Sequence, residues 1–310
     1  MGINSFKKIR KVFIVSAGRC GSHFFGKNLK KLSKYFYSIH EPDKISFRGE
    51  NKKELWFKLI NYGIWNLIIL KALAKSGSRN LSLLRLKTNK NLNINHLWNW
   101  LYKDRKLIDF YKYQIYFEAN AQLFGLVSDL IKMPRTKVAI FIRDPRTWVQ
   151  SWLNKGTWYD EKDILGNVNW LGFKRLTPRN VGRKNTMWKS YDRFQKLCWV
   201  WNYMNSNFYK IISKYKKNIR FFLFEDFFIK KKEDIIKDFL RFIIGNNYTP
   251  KYLECTLNLL QQKENQTLSK KFPAWEYWNK QYAINLHSIC GELMQKFGYG
   301  KEEKWLKKLY

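Results

Sequence analysis

Two short stretches carry the residue types that hold an anion. The first is Ser16-Ala17-Gly18-Arg19-Cys20-Gly21-Ser22-His23. Gly18 and Gly21 let the main chain approach a phosphate closely, and Arg19 offers a rigid fork of donors. If a helix starts at Ser22, the N–H groups of Cys20, Gly21, Ser22 and His23 join them as a backbone cradle. The second stretch is Arg143-Asp144-Pro145-Arg146, with Ser151 further on. The spacing from Arg143 to Ser151 lets a strand-end guanidinium and a helical hydroxyl converge on one anion. Two basic sites of this kind point to a ligand with two separate phosphate groups. Neither is a Walker A loop, because no lysine follows Gly21 and the usual β/γ-phosphate and magnesium ligands are missing.

The elements around these residues follow from hydrophobic pattern. Val12 to Val15 is a β-branched and aromatic run, expected as a buried central strand. Phe25, Leu29 and Leu32 recur at helical spacing beyond Ser22. Val138 to Ile142 predicts another apolar strand, and a helix follows from Trp148. Tyr35 to Ile39 reads as a strand that Pro42 ends, which places His40 and Glu41 at the carboxyl edge of the sheet with the first loop. Glu118 and Asn120 fall at a similar join, where Asn120 is also a natural helix cap. As proton acceptor for a reacting hydroxyl, Glu41 ranks first, His40 second and Glu118 third. The plainer alternative for Glu41 is a solvated turn residue, and for the first loop a structural strand-helix connection.

With both motifs in hand, the chain resembles the sulfotransferase superfamily that uses 3′-phosphoadenosine 5′-phosphosulfate (PAPS). SAGRCGSHFF is similar to that family's 5′-phosphosulfate loop and IRDPRTWVQS to its 3′-phosphate motif, in the family's order. The resemblance implies that Gly18, Arg19, Cys20, Gly21, Ser22, His23, Arg143 and Ser151 bind the nucleotide. It adds Lys270 and Lys271 from a late basic loop, and it makes Glu41, His40 and Arg19 the catalytic candidates. A Glu-Pro after the second strand resembles carbohydrate-type members, which implies an acceptor hydroxyl on a glycan or glycolipid. Cys20 replaces the usual small hydroxyl and Ser22-His23 replace threonine-containing pairs, so side-chain hydroxyl donation is reduced while backbone donation is not.

Over 1–310 the pattern predicts one α/β domain: a mostly parallel central sheet flanked by helices, with a P-loop-like phosphosulfate loop at its carboxyl edge. Residues 46–110 are irregular, aromatic and basic, with helical pieces over 54–74 and 97–110. They are expected to shape the acceptor pocket without forming a separate domain. Trp56, Trp65, Trp98 and Trp100 could stack on sugars, although tryptophan is more often packing. Residues 156–183 read as a long loop. Helices are expected over 190–215, 233–244 and 283–297, and a strand over 219–224 ends in Glu225-Asp226, a structural corner.

The 310 residues carry a formal charge of +35. Two readings compete for such a charge, an AT-rich coding bias and attraction to anionic partners, and most of it is expected as solvated surface. Four scattered cysteines read as reduced thiols of a cytoplasmic protein, and four histidines show no metal-ligand spacing. The stretch over 55–73 is too polar for a membrane span, which leaves peripheral contact as the membrane alternative. The rival functions are a magnesium-dependent nucleotide kinase, weakened by the missing lysine, and a basic nucleic-acid binder. No specific nucleic acid is expected.

Overall fold

The computed structural model describes residues 2–42, 78–103, 108–156, 158–160, 174–261 and 271–310. The helical piece expected over 54–74, Lys270 and half of the 156–183 loop lie outside them. In chain order the elements are α1 (Gly2–Lys8), β1 (Arg10–Ser16), α2 (Ser22–Asn28), β2 (Phe36–His40), α3 (Ser78–Thr88) and α4 (Ile94–Lys103). Then come β3 (Ile115–Ala119), α5 (Val127–Leu130), β4 (Thr136–Ile142), α6 (Pro145–Lys155), α7 (Arg193–Lys214) and β5 (Ile219–Leu223). The chain ends through α8 (Glu233–Ile244), α9 (Pro250–Gln261), α10 (Lys280–Lys296) and α11 (Glu303–Leu309).

The five strands form one parallel sheet in the order β2-β3-β1-β4-β5. Parallel strands need crossovers on the faces, so both faces are covered and the strands are apolar along their length. Val12, Phe13 and Val15 of β1 and Val138 to Ile142 of β4 have no measurable exposure. On the Phe141 face, Phe25 of α2 and Phe239 of α8 pack at ring-centroid distances of 4.7 and 5.5 Å. On the other face, Phe6 of α1 meets Tyr116 of β3 and Trp98 of α4. Trp98 is therefore packing, not a sugar platform.

The order places a topological switch between β1 and β4. From β1 the chain leaves through α2 toward β2, whereas from β4 it leaves through α6 and α7 toward β5. Loops that depart in opposite directions from adjacent parallel strands open a crevice at their carboxyl ends. The two anion motifs occupy the ends of those two strands.

Several elements begin where chemistry requires it. Asp192 caps α7, with Gln195 returning a bond to the Asp192 N–H, so that helix starts at Arg193, later than the expected Ser190. Asp144 caps α6, whose first residue is Pro145. After β3, Asn120 caps a single 3-10 turn (Ala121–Leu123) before the short α5. The described part of the 46–110 region is anchored rather than loose. Arg85 of α3 pairs with buried Asp129 at 2.8 Å, and Ser82 donates to the Gln122 carbonyl at 2.7 Å.

Candidate functional site

The loop after β1 is bent by successive left-handed residues. Gly18 (φ 84°), Arg19 (φ 57°) and Gly21 (φ 80°) all have positive φ, a region costly for any side chain but glycine's. Arg19 therefore holds a strained backbone at the point where its side chain enters the crevice. The two glycines are also spatially obligatory. A Cβ on Gly21 would fall 2.3 Å from the Phe228 ring, and one on Gly18 would fall 3.2 Å from Trp152.

Three bonds tie this loop to the second motif. Arg19 Nε donates to Ser151 Oγ at 2.9 Å, Arg143 donates to the Arg19 carbonyl at 2.8 Å, and Trp148 Nε1 donates to the Gly18 carbonyl at 2.9 Å. The two motifs, more than a hundred residues apart in sequence, thus form one cluster with Arg19 in both halves. Arg19 and Arg143 are half-buried close to one another. Burial first, and then Arg143, lower the Arg19 pKa; burial likewise lowers that of Arg143, against the pull of nearby anionic groups. Two neighbouring guanidinium groups in partial desolvation form a field that favours an anion. Among the described residues, the buried indole N–H of Trp152, on the ring beside Gly18, has no hydrogen-bond acceptor.

The other loop positions divide by exposure. Cys20 is buried, its thiol donates to the Gly18 carbonyl at 3.0 Å, and burial pushes its pKa up to about 12. Cys20 can offer a ligand only its backbone. Ser22 is half-buried at the start of α2, and His23 is exposed. Lys271 is exposed, and the next residue is pinned to α6: Phe272 N–H donates to Asn154 Oδ1 at 2.7 Å, and Asn154 Nδ2 donates back to the Phe272 carbonyl at 3.2 Å. That pairing brings the late basic segment beside the helix that carries Ser151.

The candidate bases lie at the end of β2. His40 is its last residue, and its Nε2 lies 3.2 Å from Ser22 Oγ, a hydrogen bond whose direction the imidazole tautomer sets. The His40 ring also meets that of His23 edge-on at 5.4 Å. Gly26 of α2 lets this happen, since a Cβ there would fall 2.5 Å from the His40 Cβ. Glu41 is buried at positive φ (38°), with its N–H extending the sheet to the Ala119 carbonyl at 3.0 Å. Glu118 is fully buried and accepts from Tyr116 Oη at 2.6 Å and Asn120 Nδ2 at 2.9 Å. It belongs to the interior of the sheet, where an acceptor cannot reach it.

Sequence reasoning missed the shell that orients Arg143. Glu225, at the end of β5, accepts from the Asp144 N–H at 3.2 Å, Thr147 Oγ1 at 3.3 Å and Tyr299 Oη at 2.6 Å. Arg143 Nε donates to the same Thr147 oxygen at 3.0 Å, and its guanidinium covers the Phe224 ring at 4.5 Å. Burial raises the Glu225 pKa, opposed by the Tyr299 bond, and burial followed by Glu225 raises that of Tyr299. The Gly298-Tyr299-Gly300 exit from α10 was legible as a helix stop, but nothing local marks Tyr299 as a partner of Glu225. Arg146, the second arginine of its motif, is 1 % exposed, paired with Asp144 and Glu302 and packed against the edge-on pair of Trp275 and Trp305. It fastens the chain's end to α6 and does not face the crevice.

Among the described residues there is no group of three metal-ligating side chains, and no helix is long and apolar enough to cross a membrane. No known protein-family model matches this sequence, and no curated protein does either. Among solved structures the chain is similar to a sulfotransferase domain from the curacin biosynthetic pathway. The identity is 13 % and the TM-score 0.43, with 94 % of this chain and 98 % of that chain covered.

Proposed function

We propose that the chain, as one catalytic domain, moves a sulfuryl group from PAPS to an acceptor hydroxyl on a carbohydrate or glycolipid. One observation carries the reading: Arg19, Arg143 and Ser151, singled out in two separate motifs, meet in one hydrogen-bonded cluster at the switch point of the sheet. A ligand with two phosphate groups needs two such halves side by side. The acceptor-less indole N–H of Trp152 and the backbone bent at Gly18, Arg19 and Gly21 suit an anion as well.

PAPS supplies the sulfuryl group and a nucleotide leaving group whose bridging oxygen gains charge as the bond to sulfur breaks. Arg19 and the loop N–H groups stabilise that charge, because they are preorganised rather than recruited from solvent. Arg143 holds the loop through the Arg19 carbonyl and, with Ser151, takes the 3′-phosphate. Glu225 and Tyr299 keep Arg143 aimed, as positioning residues. Glu41 removes the acceptor's proton, with His40 as the alternative through its contact to Ser22 at the same edge. Lys270 and Lys271 close over the nucleotide. The site of action is the cytoplasm, with peripheral membrane contact where the acceptor is a lipid.

A transfer assay with radiolabelled-sulfur PAPS against a panel of glycans, glycolipids and phenols tests this. Label is expected on a sugar hydroxyl. Label on phenols alone would refute the acceptor class, and magnesium-dependent phosphoryl transfer from ATP would favour the kinase reading.

A further inference from the structure

A concavity lies at the edge of the sheet opposite the Gly18 loop. A cavity of about 700 Å3 opens at the amino ends of β3, β1, β4 and β5. The strand β1 is seven residues long. At about 3.3 Å per residue, roughly 20 Å separate this cavity from the Gly18 loop. Four cations line it, Lys8, Arg10, Arg135 and Lys137, and among the described residues no carboxylate does.

The cations are held in place without being neutralised. Arg10 donates to the Ile244 carbonyl and Lys137 to the Phe242 carbonyl, both near the end of α8. Arg135 donates to the Lys8 carbonyl at 2.9 Å. A carbonyl fixes the direction of a cation but leaves its charge standing, and a guanidinium or ammonium has further donors to give. The uncompensated charge is felt nearby. Burial, then Arg10 and Arg220, lower the Lys137 pKa, and burial followed by Arg135 lowers that of Lys11 behind the rim.

The rest of the lining is suited to an organic ligand. Tyr111 is 71 % exposed at the rim, which leaves an aromatic surface for a ring to lie on, and Gln114 adds a carboxamide that reads hydroxyls or ring nitrogens. Solvated lysines on a convex surface, which account for much of this chain's charge, converge on nothing. Here four cations, an aromatic ring and a carboxamide share one concave wall, which concentrates the field where the described lining holds no counter-charge.

We propose that this cavity is a second anion-binding site, for a small ring-bearing ligand that carries two or more sulfate or phosphate groups. The proposal does not depend on the reaction assigned to the carboxyl edge. A sulfated sugar and a nucleotide polyphosphate share the required chemistry, and the experiment separates them.

The full chain is titrated calorimetrically with a trisulfated disaccharide and with ATP. The proteins are the wild type, Lys8→Gln/Arg135→Gln and Arg19→Ala. At least one probe should bind this cavity, and the double variant should weaken it tenfold or more, since bonds to charged groups are the strong ones. Arg19→Ala should leave that affinity within about twofold. Tighter disaccharide binding assigns the cavity to sulfated sugars, and tighter ATP binding assigns it to nucleotides. If the double variant does not fold, Lys8→Gln alone serves, because among the described residues the Lys8 side chain has no hydrogen-bond or ion-pair partner; it should weaken binding about threefold. The proposal is overturned if neither probe binds, if the Lys8 and Arg135 variants bind as wild type, or if Arg19→Ala abolishes the binding. Binding of an oligonucleotide without either small probe overturns it as well.

Discussion

The two edges of the sheet are both basic, and they are built in opposite ways. At the carboxyl edge Arg19 and Arg143 are tied to loop carbonyls and hydroxyls, and Glu225 and Asp144 stand close behind. At the amino edge Arg10, Arg135 and Lys137 donate to carbonyls, and Lys8 stands beside them. The first arrangement fixes the direction of each donor, and direction is what charge stabilisation in a transition state requires. The second leaves charge uncancelled, which serves affinity more than rate. Equal basicity therefore implies different work, and variants at the two edges should separate turnover from binding.

The largest effect is expected at the end of β2. Glu41→Gln should keep nucleotide affinity while transfer falls by roughly 10² or more, the range for a lost general base. His40→Asn is the paired test, since near-wild-type turnover in Glu41→Gln would eliminate Glu41 and promote His40. At the amino edge Lys8→Gln should leave turnover untouched, and a loss there would dissolve the contrast between the edges.

Arg19→Ala comes next. One lost donor to developing charge costs about 3 kcal/mol, on the order of a hundredfold in rate. The melting temperature should change little, because alanine keeps the carbonyl that Arg143 holds and the lost bond to Ser151 is a part-buried one of about 1 kcal/mol. A variant that simply unfolds would make Arg19 structural.

A smaller effect is expected one step back. Glu225→Gln keeps the shape but weakens the acceptor shared by the Asp144 N–H, Thr147 and Tyr299. Affinity for adenosine 3′,5′-bisphosphate should fall about tenfold, as for a weakened bond to a charged group. Recovery of that affinity in Glu225→Asp would identify the role as positioning. Unchanged affinity in Glu225→Gln would detach Glu225 from the anion site.

The smallest effect belongs to the amino edge. Lys11 is fully buried, donates to the carbonyls of Phe6 and Ile9, and has its pKa lowered from 10.5 to about 7 by burial and then by Arg135. Below pH 7 folded and unfolded chains both hold its proton. Between about 7 and 10.5 the unfolded chain binds more protons, so this residue makes stability rise with pH, by at most about 1.4 kcal/mol per unit. Denaturant midpoints from pH 6 to 8.5 should rise less steeply in Lys11→Met than in the wild type. Parallel profiles would remove Lys11 as the cause.

What the sequence revealed and what it hid divides along similar lines. Apolar runs such as Val12 to Val15 and Val138 to Ile142 had to be buried strands, and the helix over 233–244 was read to the residue. Strand ends at the carboxyl edge then followed from topology, which is why Arg19, His40 and Arg143 could be named together. The shell behind them was invisible because it is made by residues far apart in the chain. Tyr299 reaches Glu225, and Arg146 turns inward to Glu302 against two tryptophans. Glu118 looked available because a strand-end glutamate usually is. Tyr116 and Asn120, each two residues away, claim its oxygens inside the sheet. The amino-edge cavity was hidden for the same reason, since its cations come from two segments more than a hundred residues apart and only the folded sheet brings them together.

The account stands most directly on the convergence of Arg19, Arg143 and Ser151 upon a nucleotide with two phosphate groups. Thermal-shift titrations of the full chain with adenosine 3′,5′-bisphosphate and with AMP measure it. The bisphosphate should stabilise the wild type strongly and AMP weakly, with the gap closing in Arg143→Ala. Equal shifts by the two nucleotides in the wild type would contradict the account.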